Sequence, residues 1–202
     1  MNENTMNDTT RTAAPGTAPF RPKLSFFHPN GKGTGCMVSL ELHPAHGDEE
    51  GSVWVCFANQ LTVGDRRAPN PTYPRFDWEN RIVIRLCFDD LTKMLQVFRG
   101  ECESVGEGKG LYHMSARAST RIALRHLVEP VAGYSFEVYR TPRGSQEEQH
   151  AHIFFTPAEA LGISAALESS FGVICFGIPQ VIERDTTEYR KAVKEVRDAS
   201  AA

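Results

Sequence analysis

The chain has no apolar run of the roughly 18 residues that a membrane-crossing helix requires. Its nearest stretch, Phe171 to Ile178, is short and interrupted by Gly172 and Gly177. A disulfide pattern is also missing. The five cysteines (36, 56, 87, 102 and 175) are odd in number and scattered, so they read as small buried apolar residues in a reducing compartment. Nor is there a surplus of positive charge: the formal charge is −3, which counts against a generally basic nucleic-acid binder. The first 21 residues hold no apolar stretch for a secretory signal, and Glu3 and Asp8 argue against an organelle transit peptide. The segment reads as a mobile tail and the setting as cytoplasmic, with bacterial nucleoid association compatible.

The motifs of familiar chemistry are missing as well. Asn30–Gly35 is rich in glycine but lacks the four-residue spacer of a Walker loop. His43 with His46, and His150 with His152, have no third ligand at a metal-binding spacing. No G-x-S-x-G elbow accompanies any histidine. Asp89-Asp90 and Glu147-Glu148 suit a helix start and a hairpin tip better than catalytic dyads. The reading therefore assigns no catalytic residue, no metal and no cofactor.

What is present is a repeat. Phe27-His28-Pro29-Asn30-Gly31-Lys32-Gly33-Thr34 returns 85 residues later as Tyr112-His113-Met114-Ser115-Ala116-Arg117-Ala118-Ser119. Both copies read aromatic, His, any residue, Asn or Ser, small, basic, small, hydroxyl. A duplicated histidine without a nucleophile points to a symmetric structural role.

Strand-length apolar or alternating segments occur at Lys23–His28, Gly35–Leu42, Gly51–Ala58 and Arg81–Cys87. Pro44–Glu50 reads as a hairpin loop, and Thr62–Asn80, with three prolines, as a projecting arm or a loop across a partner. A helix follows, with Asp89 as N-cap, a stripe of Leu91, Met94, Leu95 and Phe98, and Gly100 as the stop. After a linker at Glu101–Gly110, strands are predicted near Leu111–Met114, Thr120–Val128, Tyr134–Arg140 and Gln149–Phe155. Thr156-Pro157-Ala158-Glu159 is a strong helix start, and that helix runs through Phe176. Asp185–Ala199 is read either as a further helix or as a frayed terminus. The predicted fold is α+β: two ββββα repeats form two antiparallel four-stranded sheets, with the helices packed at the centre. One domain spans residues 23–178, with repeats 23–100 and 111–178 between tails 1–22 and 179–202.

Residues 112–143 carry five arginines against two glutamates. Alternation puts Arg117, Arg121 and Arg125 on one strand face, a stripe suited to phosphates or simply to solvent. In the first block, Val53, Val55 and Phe57 share one face and leave Trp54 and Cys56 on the other. There Trp54 suits either a stacked base or a packing partner.

From Lys23 to about Ile178 the chain resembles the Whirly proteins, plant single-stranded-DNA-binding proteins related in fold to mitochondrial guide-RNA-binding proteins. Gly31-Lys32-Gly33 is similar to the family's Lys-Gly-Lys-Ala signature, with one of its two lysines kept. Phe76-Asp77-Trp78 resembles its aromatic-Asp-Trp, Val128-Glu129-Pro130 matches a Val-Glu-Pro, and Thr156 to Phe176 resembles its long final helix. The resemblance implies a homotetramer with central helices and sheets extending like blades, holding single-stranded DNA along and between the sheets. It makes Lys32 the leading contact residue, while Trp78 matches a motif residue of structural character.

The expected function is binding of single-stranded DNA or RNA with little sequence specificity, in genome maintenance or transcription regulation. Lys32, Arg117, Arg121 and Arg125 would meet phosphates, and Phe27, Trp54 and Tyr112 would offer stacking surfaces. Asn30, Thr34, Ser115 and Ser119 would add hydrogen bonds to the backbone. The competing reading is an oligomeric assembly module of the same fold without nucleic-acid binding.

Overall fold

The computed structural model describes residues 23–178; the two tails, with the helix considered at Asp185–Ala199, lie outside the described residues. The first repeat comprises β1 (Lys23–His28), β2 (Cys36–His43), β3 (Ser52–Thr62), β4 (Arg75–Phe76), β5 (Ile82–Leu86) and α1 (Phe88–Phe98). The second comprises β6 (Leu111–Met114), β7 (Ala118–Leu127), β8 (Gly133–Pro142), β9 (Gln149–Phe155) and α2 (Pro157–Phe176). Each repeat folds into an antiparallel sheet. The second has strand order β6-β7-β8-β9. In the first, β1, β2 and β3 are consecutive, and the far edge of β3 is shared. There β5 pairs with Val53–Phe57, while the two-residue β4 pairs with Gln60 and Thr62 across a bulge. The expected arm is thus partly a strand: its prolines keep it short, and it blunts an otherwise open edge.

Alternation decides what each sheet buries. Val38 and Leu40 of β2, Val53, Val55 and Phe57 of β3, and Ile82, Ile84 and Leu86 of β5 face inward. They meet Ile122, Leu124, Phe136, Val138, Ile153 and Phe155 of the other sheet in one core. Phe57 and Phe136 touch across it, with ring centroids 4.9 Å apart. Leu91, Met94, Leu95 and Phe98 of α1 are buried, as the stripe predicts. The Tyr134 hydroxyl donates to the Phe98 carbonyl at 3.1 Å, and Arg99 reaches Glu168 of α2 at 2.9 Å.

Two expectations need correction. The N-cap of α1 is Cys87, not Asp89: Asp90 occupies the third helical position and accepts from the Cys87 N–H at 3.0 Å. Asp89 instead pairs with Lys93 one turn on, at 2.6 Å. The cysteines are free but not uniformly buried. Cys36 is in the core, where burial pushes its thiol up to about 12, whereas Cys102 and Cys175 are exposed.

The start of α2 follows its sequence signature. Thr156 Oγ1 accepts from the Glu159 N–H at 3.3 Å, and Glu159 Oε2 accepts from the Thr156 N–H at 2.8 Å. The two capping carboxylates then make an exchange between repeats. His28 of β1 meets Glu159 of the second helix at 2.7 Å, and His113 of β6 meets Asp90 of the first helix at 3.0 Å. The duplicated histidine thus ties each repeat's first strand to the other repeat's helix start.

For the buried half of this exchange the pH dependence follows directly. The Asp90 hydrogen bond and charge raise His113 above its ordinary value against the effect of burial. Burial lifts Asp90, but bonds from His113 and Cys87 outweigh it and leave the carboxyl lowered. The His113 contribution is complete below about pH 6.5 and is lost as pH rises through its raised value. The Asp90 contribution is present above about pH 3.9 and fades as pH falls through its lowered value. We predict that His113→Gln lowers stability by about 1–2 kcal/mol near pH 5.5. Urea titrations should show the deficit shrinking toward pH 9.

Candidate nucleic-acid interface

The candidate interface begins at the two motif turns. Asn30 Oδ1 accepts from the backbone of Lys32 at 3.0 Å and of Thr34 at 3.1 Å. Ser115 Oγ accepts from Arg117 at 3.2 Å and Ala118 at 3.1 Å. Side-chain oxygens at these spacings close Asx-type and Ser-type turns, which hold Lys32 and Arg117 outward. The first turn is also clamped from below by buried Gln60. Its Oε1 accepts from the N–H of Asn30 and of Gly35, and its Nε2 donates to the carbonyls of Asn30 and Thr62. A Cβ at Gly35 would lie 2.3 Å from the His28 carbonyl and 2.4 Å from Gln60 Oε1, so this turn and its clamp require glycine. The Lys32 side chain is exposed and makes no hydrogen bond or ion pair among the described residues.

On the water-facing side of the first sheet, β3 presents Trp54 and Cys56 beside Ser39 and Glu41 of β2 and Val83 of β5. Trp78, from the segment between β4 and β5, closes over them, and its carbonyl accepts from Arg81 at 2.6 Å. The result is a cleft of about 640 Å³ lined by Lys23, Ser39, Glu41, His43, Trp54, Cys56, Trp78, Arg81 and Val83. Its tryptophans are 41% and 46% exposed, with the His43 ring 5.4 Å from that of Trp54, and large apolar rings left this open to water are unusual. Phe27 lies farther along the same face against Phe76, with centroids 5.7 Å apart. At the opposite end, Asp48, Glu49 and Glu50 of the β2–β3 hairpin gather next to Trp54 and Arg85.

The second sheet carries a different surface. Register places Tyr112, Arg121, Tyr139 and His150 opposite one another across its four strands. The Arg121 guanidinium sits 4.0 Å from the Tyr139 ring centroid, and His150 stacks on Tyr139 at 4.4 Å. The Tyr139 hydroxyl donates to Glu137, which also accepts from Ser135 at 3.0 Å. Burial raises Glu137, but these bonds and the neighbouring histidines more than reverse the shift and keep its carboxyl low. Tyr139 is raised, chiefly by its bond to Glu137.

The nominated residues therefore fall into two groups. Phe27 and Trp54 share the outer face of the first sheet, with the Lys32 turn at its end. Tyr112, Ser119, Arg121 and Arg125 share the outer face of the second, with Arg117 in the adjoining turn. The oxygens of Asn30 and Ser115 are engaged in closing their turns, and the Thr34 hydroxyl lies 3.1 Å from Asn30 Nδ2. The sequence reading missed Gln60, the cleft role of Trp78, and the Tyr139–His150 stack. Only Trp78 carried a signal, its Phe-Asp-Trp context; the others depend on register.

The fold is that of solved Whirly structures. WHY1 from Arabidopsis thaliana superposes with a TM-score of 0.62 over 89% of this chain and 94% of its own, at 14% identity. WHY3 from the same plant gives 0.62 over 90% and 99%, at 15% identity. The plant transcriptional regulator PBF-2 gives 0.59 over 89% and 90%, at 16% identity. No family model matches the chain, and no curated protein matches its sequence.

Gln60→Leu tests the clamp. It leaves the backbone groups of Asn30 and Gly35 without their partner, at a cost of about 3 kcal/mol. Amide exchange should accelerate at residues 30–35 ahead of the sheet core, and uniform protection would contradict the assignment.

Proposed function

We propose that this protein is a non-enzymatic module that binds single-stranded DNA or RNA with little sequence preference and acts as a homotetramer. The observation that carries this reading is the exposed aromatic path Trp54–Trp78–Phe27 on the solvent face of a sheet. Rings held on a rigid sheet and left open to water stack with any unpaired base. Arg81 and Lys32 lie along the path and suit phosphates, with Lys23 paired to Glu41 at 2.8 Å, while the acidic hairpin repels a strand from the other end. A strand would therefore run from Trp54 toward the Lys32 turn. The chain's negative charge does not oppose this, because screening confines each charge to about 10 Å at 0.1 M salt.

Self-association rests on α2. This helix has a mean hydropathy of 1.3 over 18 residues. Although the sequence has no unbroken apolar run of that length, the helix is, contrary to expectation, long and apolar enough to cross a membrane by length and composition. Its buried residues Ala160, Ile163, Leu167 and Ile174 nevertheless pack along the core, and only 28% of that window is covered within the chain. Leu161 and Phe176 stand 74% and 88% exposed. A helix apolar on every side needs cover on every side, and small Gly162, Ala165, Ala166 and Ser169 allow close approach of another helix. The same observation supports the second reading, an assembly module that does not bind nucleic acid.

Fluorescence anisotropy with labelled single- and double-stranded oligonucleotides separates the two readings. Single strands should bind at low salt and weaken as salt rises, and their failure to bind leaves only the assembly module. Trp54→Ala should cost about 1–3 kcal/mol of affinity, and Lys32→Ala should reduce the salt slope by about 0.7. Light scattering should give a tetramer, and Ala165→Glu should yield smaller species.

A further inference from the structure

A groove of about 460 Å³ lies where the two sheets meet, lined by Gly33, Thr34, Gly35, Asn59, His150, Ala151 and His152. One wall is the clamped glycine turn and the other is the edge strand β9. Asn59 joins them by donating to the His150 carbonyl at 2.8 Å. In a glycine turn the backbone N–H groups would be the natural anion donors, but here they are occupied. Lys32 and Thr34 donate to Asn30 Oδ1, Gly33 to the Asn30 carbonyl, and Gly35 to Gln60. Any anion in this groove must be held by side chains.

We propose that this groove is a phosphate subsite for a single nucleic-acid strand, bounded by the glycine turn on one wall and by His150 and His152 on the other, and that protonation of the two imidazoles strengthens it. The inference rests on the proposed function and adds the location and pH control of one contact. His150 Nε2 lies 3.5 Å from Glu137, and His152 Nε2 lies 3.1 Å from Ser135 Oγ. The charged and titratable groups facing the imidazoles are Glu137 and Tyr139 of β8, with Arg121 of β7 beyond Tyr139. The buried, protonated Cys36 thiol of β2 adds no charge. With neutral imidazoles, one cation, Arg121, faces one carboxylate, Glu137; with both protonated, three cations do. Burial holds His152 below the ordinary imidazole value, with Glu137 opposing that shift and His150 adding to it. A phosphate in the groove supplies the missing counter-charge, so binding takes up protons.

The test uses the full chain and an oligo-dT probe, whose bases do not titrate between pH 5.5 and 7.5. Affinity at fixed salt should rise about tenfold from pH 7.5 to 5.5, and the salt slope should steepen by about 0.7 for each imidazole engaged. His150→Gln/His152→Gln should lose this pH response, whereas His46→Gln, in the distant hairpin, should keep it. His150→Gln alone changes a half-exposed side chain, with no risk to folding, and should remove part of the response. Wild-type binding that ignores pH, or a double variant that retains the response, overturns the subsite and leaves the proposed function standing. Absence of oligo-dT binding at both pH values overturns both.

Discussion

The rest of the architecture depends on the exchange of histidine–carboxylate contacts between repeats. His28 reaches Glu159 and His113 reaches Asp90, and each acceptor is also the capping carboxylate of its helix. One carboxylate therefore performs two tasks: it satisfies a free N–H at a helix start and fixes the other repeat's first strand. A helix terminus left without such a partner would expose unpaired donors. Neither repeat therefore completes its helix start and its strand anchoring alone, which couples the two sheets around one core.

This coupling explains which features the sequence revealed. The α2 start needed only four consecutive residues, and the 85-residue repeat needed only self-comparison. The boundaries of β1, β6 and β9 followed from local alternation. Cys87 as a cap did not, because a cysteine has no such preference; it takes the role because Asp90 is held by His113 from another repeat. Gln60 was equally hidden. Alternation marks it only as a polar residue late in a strand, and its value as a clamp arises from a turn 30 residues away. The Trp54–Trp78 cleft required knowing that the arm folds back through β4 to bring Trp78 over β3.

The sheets share a scaffold but not a surface chemistry. Inward positions are constrained by the common core, and so both present branched aliphatic and aromatic residues there. Outward positions have no such constraint. The first sheet places tryptophans and a phenylalanine outward, whereas the second sets Arg121 and His150 against the two faces of Tyr139. With both faces covered, Tyr139 cannot stack with a base, and its role is to hold two cationic or titratable groups in place. Under the proposed function, stacking would therefore belong mainly to the first sheet and charge mainly to the second.

That division bears on the repeat itself. Equivalent motif positions could supply two similar contact regions, but the residues that the copies share serve the fold. The histidines brace helix starts, and Asn30 and Ser115 close turns. Only the basic residue at the tip is free to meet a ligand, and its two settings differ. Lys32 stands over a glycine turn beside a groove and an aromatic path, whereas Arg117 stands over a serine turn beside the arginine-rich face. A single strand tracking from Trp54 to the Lys32 turn would reach the β9 edge, where the second sheet's titratable groups begin. Under the proposed function, the duplicated scaffold would thus offer one continuous, chemically graded path rather than two equal sites.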